Sequence, residues 1–572
     1  MPSVHAALYL SGRITWMSHW IVEGEDMISL TRRNVLQVSG AAAAAAALAG
    51  CAQTSDSSSG SGSAASSDGI TIGTTDKVTS LDPAAQYDHG SFEIISNVFP
   101  MLMNVPLGAT DGTPELDVAE SAEFTSPTEF TVKLRSGLKF ANGHDLTAED
   151  VKFSFDRQLS INDPNGPASL LTNLDSTEVV DDLTVVFKLK VENDQTFAQV
   201  LMSPAGPIMD SETFPADSVM SDEDIVAAQP FCGPYVIADY SKNQLVNFTK
   251  WDGYTGTIDA PQADSITLKY YSEAENLKLA VQQNEIDVAY RSLTATDIES
   301  LRSSDGLTVY ESPGSEMRFI VFNFDTMPHG AQNSEPDTAK AAAVRQAVAS
   351  VIDREAIAED VYKGSYTPLY SYIVQGFAGS TETLKSAYGD GNGGPDTDKA
   401  KQILSDAGVS TPVTLRMQYN PDHYGTSSAD EYAAIKNQLE ATDLFTVDLQ
   451  STEWVQYNKD RVSDVYPVYQ LGWFPDFADP DNYLTPFFGA DNFIHQHYEN
   501  TEVQELITAE ATTQDQASRE QILSEVQEKL TADLPTIPLL QGKQIMVANG
   551  SVSGCENAMD IVSKLRLSAL NK

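Results

Sequence analysis

Cysteine is scarce: Cys51, Cys232 and Cys555 are the only three in 572 residues, and none forms a C-x-x-C pair. That argues against a zinc cluster and against a thioredoxin-type redox site. Positive charge is short too, with 35 Lys and Arg against 81 Asp and Glu and a net charge of −46. A surface so poor in cations argues against nucleic acid as a partner, because phosphate backbones need basic surface. The longest apolar tract, the alanine-rich stretch at 41–49, is too short to cross a bilayer. Catalytic signatures are missing: no G-x-S-x-G, no H-E-x-x-H and no Walker motif marks an activated nucleophile or a phosphate loop. Gly389 to Gly394 fits G-x-G-x-x-G formally, but no strand precedes it and Pro395 follows, so a dinucleotide site is not expected.

What is present is enough apolar residue to fold, 41%, in a chain longer than one core usually serves. Two or more domains are therefore expected. The acidic excess gives a solvated surface with at most a slight bias toward cationic ligands. Asp476, Asp479 and Asp481 lack EF-hand spacing, so calcium is not expected there. His495 and His497 would share one face of a strand and are read as a polar surface pair rather than metal ligands. No cofactor and no metal is expected.

The N-terminus reads as an address. Arg32-Arg33 precedes a mildly apolar stretch that ends in Leu48-Ala49-Gly50-Cys51. The paired arginines resemble a twin-arginine export signal, and the last four residues resemble a bacterial lipobox. That likeness implies cleavage before Cys51 and lipid on its thiol. Residues 1–26 do not belong to such a signal, and Met27 stands where one would begin. Residues 52–68 are a Ser/Gly tract that cannot bury a core. As a random coil it would hold the folded body roughly 20–25 Å from the bilayer. With Cys51 acylated, Cys232 and Cys555 are left in an oxidising compartment, either paired or as two separate buried thiols.

In the body, Ile70 to Gly73 starts as a strand, and Phe92 to Met103 reads as a helix. In Glu129 to Arg135, Phe130, Val132 and Leu134 alternate with polar residues, the pattern of a half-buried strand. Leu138 to Phe140 should continue it, with Asn142-Gly143 as a turn. Thr147 with Asp150 three places on predicts a capped helix whose buried side carries Val151, Phe155 and Leu159. Val344, Val348, Val351 and Ile352 form a helical stripe, Asp353 caps the next helix and Gly364 ends it. Ile522, Val526 and Leu530 make another stripe before a last strand. The segment Gly472-Trp473-Phe474-Pro475-Asp476-Phe477-Ala478-Asp479-Pro480 follows an apolar strand, Val465 to Leu471, and sets one carboxylate among aromatic rings. Two prolines then end the ladder. A fixed carboxylate with apolar walls suits a ligand that is cationic at one point and greasy beside it.

Several of these strings, in order, resemble the peptide-family solute-binding proteins of ABC importers, dipeptide, oligopeptide and nickel binders included. The ligand segment is similar to that family's G-W-x-x-D-x-x-D/E-P-x-x-x-L. Phe130 to Arg157 is similar to its T-F-x-L-R-x-G-x-K-F-x-x-G-x-x-L-T-A-x-D-V-x-F-S-x-x-R. Gly233-Pro234-Tyr235, Asn284 to Asp287, and Val344 with Asp353-Arg354 match further stations. The likeness covers roughly residues 70 to 550.

It implies an α/β, periplasmic-binding-protein-like fold of type II: two α/β lobes joined by two crossover strands, with an extra subdomain in the first lobe. Carried over, lobe I is 69–108 with 208–318 and 535–572, the subdomain is 109–207 and lobe II is 319–534. The crossovers fall at Arg318 to Phe324 and near Ile537 to Leu540. The likeness also implies a non-enzyme that captures short peptides outside the cell and hands them to an ABC permease with its ATPase. It would be a monomer held at the membrane by lipid. Other relatives take nickel complexes or oligosaccharides, and an extracellular hydrolase is the reading least supported. By the same likeness Asp476 binds a peptide's α-ammonium, Gly472 and Phe474 pair with peptide backbone as an added strand, and Trp473, Phe477 and Tyr483 wall pockets. Met101 and Leu102 stand where the other lobe's backbone segment meets the ligand, although Pro100 beside them has no N–H to donate. Some peptide binders carry an Arg two residues before the glycine to receive the carboxylate end; here Gln470 stands there, so that partner is unassigned.

Overall fold

Two long strands, Leu307–Phe322 and Thr536–Asn549, run antiparallel through the middle of an 11-stranded sheet in the computed structural model. The model describes residues 69–257, 260–490, 492–562 and 564–572. The signal, Cys51 and the Ser/Gly tract lie outside the described residues. Phe319 to Phe322 and Ile537 to Leu540 are buried on both faces, which is why these stretches are continuously apolar instead of alternating. Leu307 lies opposite Asn549 and Val321 opposite Thr536, with the register slipping between Pro313 and Met317.

Each long strand carries a different flank. On one side Val468–Trp473 pairs antiparallel with Leu307–Phe322, followed outward by Val413–Tyr419 and Phe445–Ser451. On the other, Val288–Tyr290 pairs with Thr536–Asn549, followed by Ile70–Thr74, Ser265–Tyr270, Leu245–Lys250 and Tyr235–Ser241. A separate antiparallel sheet of four strands lies within 119–189, and helix Ala148–Ile161 packs on it.

Local chemistry explains most elements and corrects several expectations. Phe130, Val132 and Leu134 point inward as their alternation predicts. Leu138 to Phe140 does not continue the strand; only a bridge between Lys139 and Asp145 forms, because Gly137 at φ +81° turns the chain first. The helix after Thr147 has its capping box, the Thr147 N–H donating to Asp150 at 2.8 Å. Val151 and Phe155 are buried, but Leu159 is 37% exposed. Two steps of four residues rotate the third position by about 80° around a 3.6-residue helix.

The helix expected over 92–103 spans His89–Val98 instead. The Asp88 carboxylate caps it by accepting from Ser91, and Pro100 forces Phe99 into extended backbone. Thr338–Val351, Arg354–Asp360 and Gln516–Asp533 form as the stripes predict, with Asp353 accepting from the Ala356 N–H. Ile522 is half-buried, and its neighbour Leu523 takes the core position. His495 and His497 lie in no strand; both have left-handed backbone, at φ 58° and 62°. Cys232 and Cys555 are free buried thiols. They sit in separate apolar clusters, one with Phe130 and Phe187, the other with Ile72 and Tyr235, so the pairing considered for them does not form.

Candidate ligand-binding site

The ligand segment leaves the sheet at Trp473 and is fixed by one amide. The Asn482 Oδ1 accepts from the Trp473 indole N–H at 2.9 Å and from the Asp476 backbone N–H at 2.9 Å. Its Nδ2 lies 3.5 Å from Asp476 Oδ2. Pro480–Tyr483 is a short 3-10 helix capped by Asp479, and the Tyr483 hydroxyl donates to the Ser315 carbonyl at 2.7 Å, in the slipped part of the central strand pair. The segment is thus tied at both ends before any ligand contact is considered.

Asp476 stands in the wall of a cavity of about 510 Å³. Tyr87, His89, Phe92, Ser203, Arg291, His423, Phe474, Phe477 and Lys564 supply much of the rest, from segments far apart in the chain. The Tyr87 hydroxyl donates to Asp476 Oδ1. Burial pushes the Asp476 carboxyl above its usual range, opposed by the hydrogen bonds from Tyr87 and Asn482. His423 stacks on Trp454 with ring centroids 3.9 Å apart, and burial lowers its pKa. Two cations share the cavity wall: Arg291, and Lys564, whose Nζ donates to Asn104 Oδ1 at 3.2 Å. A second cavity of about 190 Å³ shares Arg291, Ser315 and Phe474 with the first and is otherwise lined by the slipped strand region, including Gly314, Glu316, Gly542 and Gln544.

Of the residues expected at the ligand, Asp476, Phe474 and Phe477 line the larger cavity, and Phe474 is 46% exposed. Gly472 does not; it is buried, pairs with Arg318 in the sheet, and its carbonyl accepts from the Tyr424 hydroxyl at 3.2 Å. Trp473 turns its ring onto Phe487 and Phe493, and Tyr483 is buried against Phe377. Met101 and Leu102 are buried and line neither cavity. Their carbonyls accept from Val118, Asp117 and Ala119, so the backbone that would pair with a ligand already pairs within the protein.

Asp479 is held by the Arg519 guanidinium, and Asp481 accepts from Thr485. Burial raises Asp481 to about 6 and its neighbour Glu510 to about 10. His497 pairs with Asp464 at 2.6 Å and faces Asp325 at 3.8 Å, a surface grouping whose carboxylates also accept from Asn323 and Gln332. Tyr87, Asn482, Arg291 and Lys564 were not singled out from sequence. Asn482 lies inside the ligand string, but no spacing rule separates it from a loop residue, and the other three reach the site only through tertiary folding.

A charged, partly aromatic cavity beside the central strand pair, with one carboxylate clamped by its own loop, is the layout of a protein that encloses a solute. The chain belongs to the bacterial extracellular solute-binding proteins, family 5: residues 113–494 match the family described as "Bacterial extracellular solute-binding proteins, family 5 Middle". The family consists of substrate-binding proteins and not enzymes. Among curated relatives, dipeptide-binding protein DppE of Bacillus subtilis is 23% identical over 508 residues, covering 84% of this chain and 88% of that protein. Heme-binding protein A of Haemophilus influenzae is 26% identical over 483 residues, covering 77% and 81%. In fold, the chain is similar to HbpA2 from Haemophilus parasuis, with a TM-score of 0.74 at 20% identity over 88% of this chain and 99% of that one. DppA from Helicobacter pylori in complex with the peptide STSA gives 0.65 at 20% identity, over 88% and 97%. Among the described residues no helix is long and apolar enough to cross a membrane.

Proposed function

We propose that this protein captures short peptides in the larger cavity, with Asp476 receiving the peptide's α-ammonium, and delivers them unaltered to an ABC permease. The observation that carries the reading is a shielded carboxylate in a cavity wall, held in orientation by Asn482. In such a site a charge-assisted hydrogen bond is stronger than at a surface. A dipeptide-binding relative and a peptide-bound relative of the same fold support it. Phe474 and Phe477 give apolar wall to side chains beside the ammonium.

In this reading residues 69–108, 208–318 and 535–572 form lobe I with 109–207 as its extra subdomain, and 319–534 form lobe II. The lobes close over the ligand about the slipped strand pair, driven by the ligand's greater affinity for the closed form. Lipid on Cys51 and the 52–68 tether keep the body at the outer face of the membrane, within reach of the permease and its ATPase. Native mass spectrometry of protein purified from peptide-rich medium tests the ligand class. Peptides of two to a few residues are expected to co-purify and to be displaced by added peptide, intact in mass. Recovery of only a non-peptide solute would overturn the reading.

A further inference from the structure

We infer that Asp481 and Glu510 share one proton, and that the hydrogen bond made by this proton sets the register of the ligand loop, so that both are positioning residues for Asp476. Only the role of Asp476 rests on the peptide reading above; the shared proton does not depend on what is bound.

Asn482, which holds Trp473 and Asp476, sits in the 3-10 turn Pro480–Tyr483, and that turn is anchored through two acids. Asp479 caps it, with Oδ1 accepting from the Asp481 N–H at 2.8 Å. Arg519, on helix Gln516–Asp533, grips the same carboxylate through Nη1 at 2.9 Å and Nη2 at 2.6 Å. Asp481 reaches Glu510 on helix Thr501–Thr512, and the two carboxyl groups lie within hydrogen-bonding distance of each other. The Thr485 hydroxyl also donates to Asp481 Oδ1. Each acid thus ties the turn to a different helix, with Asn482 next in the chain.

Three carboxylates gather here around one guanidinium. Asp479 is 3% exposed, Asp481 8% and Glu510 0%. The charges acting most strongly on the Asp481–Glu510 pair are those of Asp479 and Arg519. Arg519 is already engaged by Asp479 and by Glu510 Oε2, which its Nε reaches at 2.9 Å. Glu510 Oε1 is buried and receives no N–H or O–H donor. Ionised carboxylates only accept, so Asp481 and Glu510 cannot bond to each other unless one keeps its proton. Two enclosed carboxyl groups in contact retain one, because the first negative charge opposes the second. Burial raises both groups, and the charge of Asp481 raises Glu510 further against the opposing pull of Arg519. A group raised in this way holds its proton in the folded protein and releases it on unfolding, so its contribution to stability falls as pH rises above the ordinary carboxyl range.

The test uses the full-length protein without ligand. Infrared spectroscopy near neutral pH should show the carbonyl stretch of un-ionised carboxyl groups, weaker by one group in Glu510→Gln, whose amide supplies a neutral donor of the same shape. A wild type with no such band, which needs no variant to fold, would overturn the shared proton. In urea unfolding, the ratio of the wild-type unfolding constant to that of Glu510→Gln should rise about tenfold per pH unit between about pH 6 and 8. A ratio independent of pH would mean an ionised Glu510 and would overturn it too. The Trp473 indole N–H, bonded to Asn482, reports the loop's register by NMR among five tryptophans. Its resonance should stay in place in Glu510→Gln and move in Glu510→Met, which removes the bond and leaves Arg519 on Asp479. A resonance unmoved in Glu510→Met would overturn the positioning role. Peptide affinity should follow the same order, like wild type in Glu510→Gln and about 10-fold weaker in Glu510→Met. Were no form to bind peptide, the functional reading would fall, while the ligand-free measurements would still decide the proton and the register.

Discussion

Asp476→Asn separates a ligand role from a structural one. The substitution keeps the side chain's size and the backbone N–H bond to Asn482, and removes one negative charge from the cavity wall. A hydrogen bond to a charged group contributes about 1.5–3 kcal/mol. Leaving the partner charge enclosed without its counterion raises the loss toward about 2–5 kcal/mol. Peptide affinity measured by titration calorimetry should therefore fall by about 30-fold or more. Stability should move the other way. Burial raises the Asp476 carboxyl, so its folded pKa exceeds the unfolded one. A group shifted in that direction destabilises the fold above its unfolded pKa, and the penalty disappears at low pH. At neutral pH the ligand-free Asn variant should melt no lower than the wild type. Ligand at 100 times the wild-type Kd stabilises by about 2.7 kcal/mol, and a variant binding 100-fold more weakly gains only about 0.4 kcal/mol at the same concentration. The ligand-induced rise in Tm should thus shrink to a small fraction of its wild-type value. An Asn variant with wild-type affinity and an undiminished ligand-induced rise would refute the role of Asp476.

Other perturbations probe the surroundings. Tyr87→Phe removes a hydrogen bond that holds the Asp476 carboxyl down. Peptide affinity, lost as pH falls through that pKa, should begin to fall at a higher pH than in the wild type. A pH profile of Kd that is unmoved or shifted downward would contradict this. Arg157→Ala breaks a fully buried pair in which Nη1 and Nη2 each reach Asp82 at 2.7 Å, and it also loses bonds to the Pro215 and Ser218 carbonyls. Urea unfolding should show a loss of about 3–5 kcal/mol, and a loss under about 1 kcal/mol would mean the pair does not tie helix Ala148–Ile161 to the segment at Asp82.

What could be read from the chain beforehand was whatever depends on neighbours in sequence. The alternation at Phe130 to Leu134, the capping box at Thr147 and the stripe at Val344 to Val351 are local signals, and each yields its element. The arginine that closes the long signature string, Arg157, finds its use in Asp82, 75 residues away, which no local pattern announces. Asp476 was visible because its spacing to Trp473 and Pro480 repeats a family string. Met101 and Leu102 were misplaced for the converse reason. Their position in the string was right for a ligand-facing segment, but their carbonyls were already committed to residues 117–119. Tyr87 and Arg291 belong to the cavity only because strands distant in sequence are adjacent in the sheet.

Gln470 shows what fills the place where some peptide binders carry an arginine. Gln470 Nε2 and Arg318 Nη1 both reach toward Ser428 Oγ and Glu431 Oε2, at distances between 3.1 and 3.5 Å. Arg318 is enclosed by the rings of Tyr362, Tyr366 and Tyr424 at 5.0–5.9 Å, with Glu431 buried against it. The guanidinium is held between two carboxylates, Glu431 at 3.2 Å from Nη1 and Glu316 at 3.2 Å from Nε, and the neutral amide of Gln470 completes the bonding. An arginine at 470 would force a second, larger guanidinium into a space filled by an amide, beside the first, with both acids already engaged by Arg318 and by the Tyr362 and Tyr366 hydroxyls. Gln470→Arg should therefore lower stability by about 1–3 kcal/mol in urea unfolding, the usual scale for overpacking a buried site. It should also leave any preference for free-acid over amidated peptides unchanged, because that charge cannot reach the cavity. A Gln470→Arg variant that folds with wild-type stability and binds free-acid peptides more tightly would mean that the strand Val468–Trp473 still offers a carboxylate site.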